Sequence, residues 1–238
     1  MDKENKQYTY EDFLNIIETL RGENGCPWDK VQTHESLKPC MTEEAAELLA
    51  SIRIYEQTGN PDNMIEELGD VLLQVVMHAQ IASEEGLFTM ADVVDEVSHK
   101  MVRRHPHVFG TGDADTPEEV LINWEEIKKE EKKDKVWMES PLREIPRELP
   151  ALTRAAKVLK KADKYYAKGG SYDQDVEALQ ESVESLKACK PEAYSKELEQ
   201  IMTDMLMRLS DIARLYKISH EQALVDRIEN LIEKYEKG

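Results

Sequence analysis

Two short acidic runs carry the most chemistry in this chain: Glu43, Glu44 and Glu47 in one, Glu66, Glu67 and Asp70 in the other. Glu44 and Glu47 are three residues apart, as are Glu67 and Asp70. On a helix that spacing puts both members of a pair on one face. Crowded carboxylates repel one another, and taking them out of water costs more still. A hard divalent cation removes that cost, and an all-oxygen ligand set suits Mg²⁺ or Mn²⁺. Di-iron carboxylate bundles are the rival chemistry, but they rely on Glu-x-x-His. None of the six acids is followed by histidine at that spacing. The bland alternative is a set of solvated helix faces, which describes most acids in the chain.

For the two pairs to meet, the chain must fold into a helical hairpin. Helical periodicity does dominate. Phe13, Ile16, Ile17 and Leu20 form an i, i+3, i+4, i+7 stripe on a first helix. Residues 22–39, with Gly22, Gly25, Pro27 and Pro39, read as a loop. A second helix is expected from about Thr42 to Gln57 and a third from Asp62 to about Glu85. TGNPD (58–62) breaks them apart, with Pro61 suited to a first helical turn. At 1.5 Å per residue, Glu47 and Asp70 stand roughly 13 and 12 Å from the break, nearly level. Leu48, Leu49, Ile52, Leu68, Val71, Leu72 and Val75 are the expected core beside the acids. Gly69 weakens its helix, and close helix packing is the expected reason.

Further along, Thr89 or Asp92 can cap a fourth helix that reaches about Arg104. Residues 105–115 read as a loop; His105 and His107 flank Pro106 there without a third soft ligand nearby. Thr116-Pro117-Glu118-Glu119 is a capping box that opens a helix to about Lys133. Pro141, Pro146 and Pro150 mark 134–150 as a linker. Helical patterns resume at 151–167, 173–189, 192–216 and 219–236, and no alternating strand pattern competes. The expected fold is all-α in two helical halves, 1–133, which holds both acidic runs, and 151–238.

Charge narrows the partners. The formal net charge is −18, with 49 acids against 31 bases. Residues 39–99 hold 13 acids and one base, Arg53. Such a surface does not suit a nucleic-acid strand or an anionic membrane. It admits a phosphate compound whose contact is mediated by metal. Lys100 and Arg104 are i, i+4 at the end of the acidic stretch, with Arg103 beside them. Guanidinium and ammonium groups so placed suit the far side of a metal-held phosphate. The three cysteines, Cys26, Cys40 and Cys189, form no framework and fit a reducing cytoplasm. The first residues lack an apolar signal core, and no apolar run is long enough to span a membrane.

At this point the residues resemble a family. EEAAE (43–47), nineteen residues, then ELGD (67–70) looks like the EExxE…ExxD signature of all-α nucleoside triphosphate pyrophosphohydrolases. LRGENGCPWDKVQTHESLKP (20–39), EELGDVLLQVVMHAQIASEEGLF (66–88), VSHKMVRRHPHVFG (97–110) and VLINWEEIKKEE (120–131) resemble the MazG family. So does IPRELPALTRAAKV (145–158). The resemblance implies Mg²⁺-dependent hydrolysis of a nucleoside triphosphate to the monophosphate and pyrophosphate. It implies metal ligands at Glu44, Glu47, Glu67 and Asp70, with Glu43 supporting. It implies phosphate contacts from Lys100, Arg103 and Arg104, and nucleotide contacts from Trp124 and Lys128. MazG proteins are dimers, so it further implies a homodimer whose sites draw on both chains. Cys26 and Trp28 in GCPWD look like a family loop anchor.

MazG proteins often carry a second copy of the domain, and here the second half departs from the pattern. QESVE (180–184) has Gln180 where the first glutamate belongs, and Ile201 replaces a glutamate three residues before Asp204. Glu181 and Glu184 remain, but Asn230, Glu233 and Lys234 stand where the basic element would align. This half is expected to be non-catalytic. The alternative for the whole chain is a nucleotide-sensing or partner-binding helical protein that retains the fold without turnover.

Overall fold

A computed structural model describes residues 7–133, 140–189 and 195–237, and the structural statements below concern those residues. Residues 134–139 of the expected linker and 192–194 of the helix expected over 192–216 lie outside them. The chain divides into two compact units, residues 1–129 and 130–238. No strand occurs among the described residues, and the fold is all-α. No described helix is long and apolar enough to cross a membrane.

The first unit begins with α1, Tyr10–Arg21. Its start follows from a capping box: Thr9 Oγ1 accepts from Asp12 N–H, and the Asp12 carboxylate accepts from Thr9 N–H. The region expected to be a loop then holds a single-turn helix, α2 (Pro27–Lys30). Gly25 lets the chain turn there, because a Cβ on it would lie 2.2 Å from the Leu20 carbonyl oxygen. α3 runs over Lys38–Thr58, starting earlier than expected. Pro39 sits in its first turn, where a missing N–H costs nothing, so it opens the helix and does not exclude it. Gly59, at φ +71°, ends α3 in the left-handed conformation, and α4 (Asp62–Glu84) returns beside it.

α5 (Met90–Arg104) starts at a second capping box, in which Thr89 is the cap and Asp92 its reciprocal partner. α6 (Pro106–Phe109) is a single turn, and α7 (Pro117–Lys133) opens where Thr116 and Glu119 exchange backbone bonds. The core of this unit is Ile17, Leu37, Val76, Met77 and Ile81, joined by Phe13, Leu14, Leu20, Cys40, Leu73 and Met90. Thus α1, the start of α3 and the second half of α4 are packed together.

The rest of the hairpin is different. Leu49 is 68% exposed and Leu68 is 51% exposed, and Ile52 and Leu72 are exposed as well. These residues are expected in a core beside the acids, and among the described residues of the first unit they are not in one. The core stays with α1, near the far end of the hairpin, and leaves this apolar face open. Gly69 is a related correction: a Cβ there meets nothing within 4 Å, so close packing within the first unit does not explain it.

The second unit contains α8 (Ala151–Tyr166), α9 (Tyr172–Cys189), α10 (Lys196–Leu215) and α11 (His220–Glu236). α10 packs on α8 and α9. Its interior is polar at one end. Asp175 (0% exposed) and Asp211 are buried, Asp211 bonds Arg214 and accepts from Gly170 N–H at 3.1 Å, and Arg208 reaches Asp175 at 3.3 Å.

Candidate metal centre and nucleotide contacts

α3 and α4 bring three of the expected acids together. One carboxylate oxygen each from Glu44, Glu67 and Asp70 lies within 4.8 Å of the others. Glu67 and Asp70 share a face of α4 because they are one turn apart, and Glu44 comes across from α3. Glu44, one turn further from the bend than Glu47, is the α3 residue that reaches the cluster. Glu43 and Glu47 are exposed and stand outside the three-residue group. They remain close enough for their charges to act on Glu44.

The electrostatics are those of a site short of positive charge. The Glu44 pKa is raised, first by burial, then by Asp70, Glu47, Glu67 and Glu43. Glu67 is only 9% exposed; its Oε1 accepts from Asn63 Nδ2 at 2.9 Å, while the buried Oε2 has no partner. A buried carboxylate oxygen without a donor is costly. Facing two further carboxylates, it suits a cation ligand better than a hydrogen-bond acceptor. The donor set is oxygen only, which fits Mg²⁺ or Mn²⁺.

A second group forms where α5 meets α7. The Arg104 guanidinium carbon lies 5.5 Å from the centre of the Trp124 ring, and Lys128 Nζ lies 5.2 Å from it. Both distances fit cation–π contact. Trp124 Nε1 is buried without a partner. The four-residue step from Trp124 to Lys128 is one helical turn, which is why both reach the same place. Lys100 is half-buried on α5 and Arg103 is exposed.

The two histidines of the 105–110 turn differ: His105 bonds locally, whereas His107 Nδ1 is buried without a hydrogen-bond partner. His105 Nδ1 lies 2.6 Å from the Met101 carbonyl, and its ring is tilted against that of His107 at 5.7 Å. A single Glu96-x-x-His99 does occur on α5, where His99 Nδ1 lies 3.2 Å from Asp95. The sequence pattern does not signal the long-range polar contacts of this unit, among them Arg21–Glu84 and a contact between His34 and His78. The two histidines are 44 apart, and no local pattern joins them.

In the second unit, the surviving acids are exposed, and Glu184 and Asp204 are engaged on their own helices. Glu184 pairs with Lys187 at 2.7 Å, and Asp204 accepts from Gln200 at 2.9 Å. Glu181 is exposed.

Comparison with known proteins gives the class. Residues 32–109 match the MazG nucleotide pyrophosphohydrolase domain. The chain is 40% identical, over 96% of its length, to a Thermotoga maritima protein named nucleoside triphosphate pyrophosphohydrolase/pyrophosphatase MazG, and covers 84% of that protein. It is 39% identical to the Escherichia coli K12 nucleoside triphosphate pyrophosphohydrolase, over 89% of this chain and 80% of that one. A Bacillus subtilis relative, the uncharacterized protein YabN, is 47% identical over 91% of this chain, which spans only 43% of YabN. Fold, acidic cluster and these matches define an all-α hydrolase acting on phosphoric anhydrides. The chain belongs to the MazG nucleoside triphosphate pyrophosphohydrolase family.

Proposed function

We propose that this chain hydrolyses nucleoside triphosphates to the monophosphate and pyrophosphate with Mg²⁺, or Mn²⁺ in its place, held by Glu44, Glu67 and Asp70. The observation that carries this reading is the convergence of those three carboxylates with Glu67 Oε2 unpartnered. Glu47 adds charge from the adjacent turn and is the fourth ligand of the proposed set, with Glu43 in a supporting role. When bound, the cation polarises the phosphoryl oxygens and acidifies the attacking water. A carboxylate of the cluster takes the water proton. The water oxygen bonds to phosphorus at the α–β anhydride, the bridging P–O bond breaks, and pyrophosphate leaves.

Lys100, Arg103 and Arg104 hold the phosphates opposite the acids, and Trp124 and Lys128 contact the nucleotide. The Arg104–Trp124–Lys128 group supports that assignment by setting two cations against one ring. We place the enzyme in the cytoplasm as a homodimer. The open apolar face of the hairpin, Leu49, Ile52, Leu68 and Leu72, supports a second copy covering it. Residues 1–133 then form the catalytic domain, 134–150 the linker and 151–238 a degenerate second domain without turnover. The retained acids of that second domain, spent on Lys187 and Gln200, support this division.

Product analysis tests the reading. With Mg²⁺ and mixed nucleoside triphosphates, monophosphate and pyrophosphate should appear in equal amounts. Diphosphate and orthophosphate instead would place the cut at the other anhydride. No product from the folded protein would leave the alternative, a nucleotide-sensing or partner-binding protein.

A further inference from the structure

The α3–α4 hairpin is closed at one end by its turn, Gly59–Pro61. A contact near the other end has no assigned role. His34, in the segment between α2 and α3, and His78, on α4, have their Nδ1 atoms 2.8 Å apart. Their rings are parallel within 6°, with centroids 5.1 Å apart. The segment carrying His34 is itself anchored. Thr33 and Ser36 exchange backbone-to-hydroxyl bonds of 2.9 and 3.1 Å, and the Gln32 carbonyl accepts from Arg21 Nη1 at 3.2 Å. Leu37, buried in the core, is the cap residue of α3. Glu44 follows six residues after the first residue of α3. On α4, Asp70, Gln74 and His78 are spaced i, i+4, i+8 on one face. Gln74 is 6% exposed with its Oε1 unpartnered, so the polar stripe runs inward from the acids.

We propose that His34 and His78 form a proton-sensitive clasp that fixes the start of α3 against α4 and so holds Glu44 within reach of Glu67 and Asp70. They are positioning residues, and the inference rests on the metal-site reading above. In the neutral pair, one Nδ1–H donates to the other ring's Nδ1 lone pair. A first added proton can go to an Nε2 and leave that bond intact. A second proton places N–H against N–H at 2.8 Å and opens the clasp.

Burial, and then the charge of His34, lower the His78 pKa. A histidine lowered in the folded state contributes stability that is complete above its ordinary value, near about 6.5, and is lost as pH falls below it. Charged groups on the elements packed around the pair are engaged elsewhere. Arg21 of α1 pairs with Glu84 at 2.7 Å, Lys38 pairs with Glu35, and Lys30 bonds the Glu23 carbonyl. Glu67 and Asp70 belong to the acidic cluster.

Mn²⁺ affinity of the full chain at pH 8 and pH 5.5 tests the clasp. It compares wild type, His34→Ala and the double variant His34→Gln/His78→Gln, whose two amides can bond each other but do not titrate. His34→Ala should weaken Mn²⁺ binding at pH 8 by about tenfold, as expected for loss of a group that orients ligands. The double variant should stay near wild type at pH 8. Its loss of affinity on going to pH 5.5 should be several-fold smaller than wild type's, because only the carboxylates still titrate. Equal pH ratios in wild type and the double variant would overturn the proposal, as would full affinity in His34→Ala. If His34→Ala does not fold, the double variant decides alone. Wild type that binds no Mn²⁺ at pH 8 would overturn the metal site, and the clasp with it; binding that ignores both variants would overturn the clasp only.

Discussion

Asp70→Asn separates two states of the acidic cluster by sign. In the metal-free protein, three carboxylate oxygens lie within 4.8 Å of one another, and Asp70 takes part in two of the three pairs. A pair at that distance costs about 1 kcal/mol in water and about 3.5 kcal/mol at an effective dielectric constant near 20. Water screens this seam, where Glu44 and Asp70 are only partly buried, so the lower end applies. The substitution should then stabilise the metal-free protein by about 2 kcal/mol, or roughly 4–8 °C in a chain of this size. With Mg²⁺ or Mn²⁺ present the order reverses. Wild type gains about 2.7 kcal/mol at a hundredfold excess of ion over its dissociation constant, and the variant, with a damaged site, gains far less. Thermal unfolding of both proteins in EDTA and in excess Mn²⁺ reads the four values. A variant less stable than wild type in EDTA would refute the repulsion argument. Equal Mn²⁺ shifts in both proteins would refute the ligand assignment.

Other outcomes follow from the same structure. Because the Glu44 pKa is raised, the folded protein binds a proton there more tightly than the unfolded chain does. That contribution is present at low pH and lost as pH rises through the raised value, opposite in sign to that of His78, so in a metal-free Tm series the advantage of Glu44→Gln over wild type should be largest at high pH and shrink on acidification. Asp175 is raised by burial and by Asp211, against Arg208 and Arg214, so its charge costs stability at neutral pH by the same sign. Asp175→Asn should therefore unfold at or above the wild-type temperature at pH 8; a loss of about 3 kcal/mol or more would show that its ion pair with Arg208 dominates. Arg104→Ala should raise KM for a nucleoside triphosphate by roughly tenfold or more, the worth of one charge-assisted contact, with kcat less affected; unchanged KM would remove Arg104 from the phosphate site.

The helices were legible because their local signals are strong. The boxes at Thr89–Asp92 and Thr116–Glu119 fix α5 and α7 at the expected residues, and Gly59 lies inside the expected break. The start of α3 was misjudged because Pro39 has two meanings, loop former or first-turn residue, and only the core position of Leu37 decides between them. Counting rise from the break leveled Glu47 with Asp70, whereas the packed helices bring Glu44 in. A one-turn difference of that kind depends on how the helices cross, which spacing does not encode. Leu49 and Leu68 read as core by type, yet none of the described helices of the first unit covers them; pattern marks an apolar face without saying what meets it. The His34–His78 contact joins residues 44 apart and had no local signature.

Turnover as a function of Mg²⁺ in wild type and Glu67→Gln tests the central claim most directly. Glu67 holds the unpartnered buried oxygen of the cluster, and the substitution is nearly isosteric. Wild type should release pyrophosphate only with a divalent cation. Folded Glu67→Gln should lose turnover by about a hundredfold and require more Mg²⁺, the scale of losing one group that stabilises developing charge. Pyrophosphate release by the variant at the wild-type rate and Mg²⁺ dependence would contradict the account.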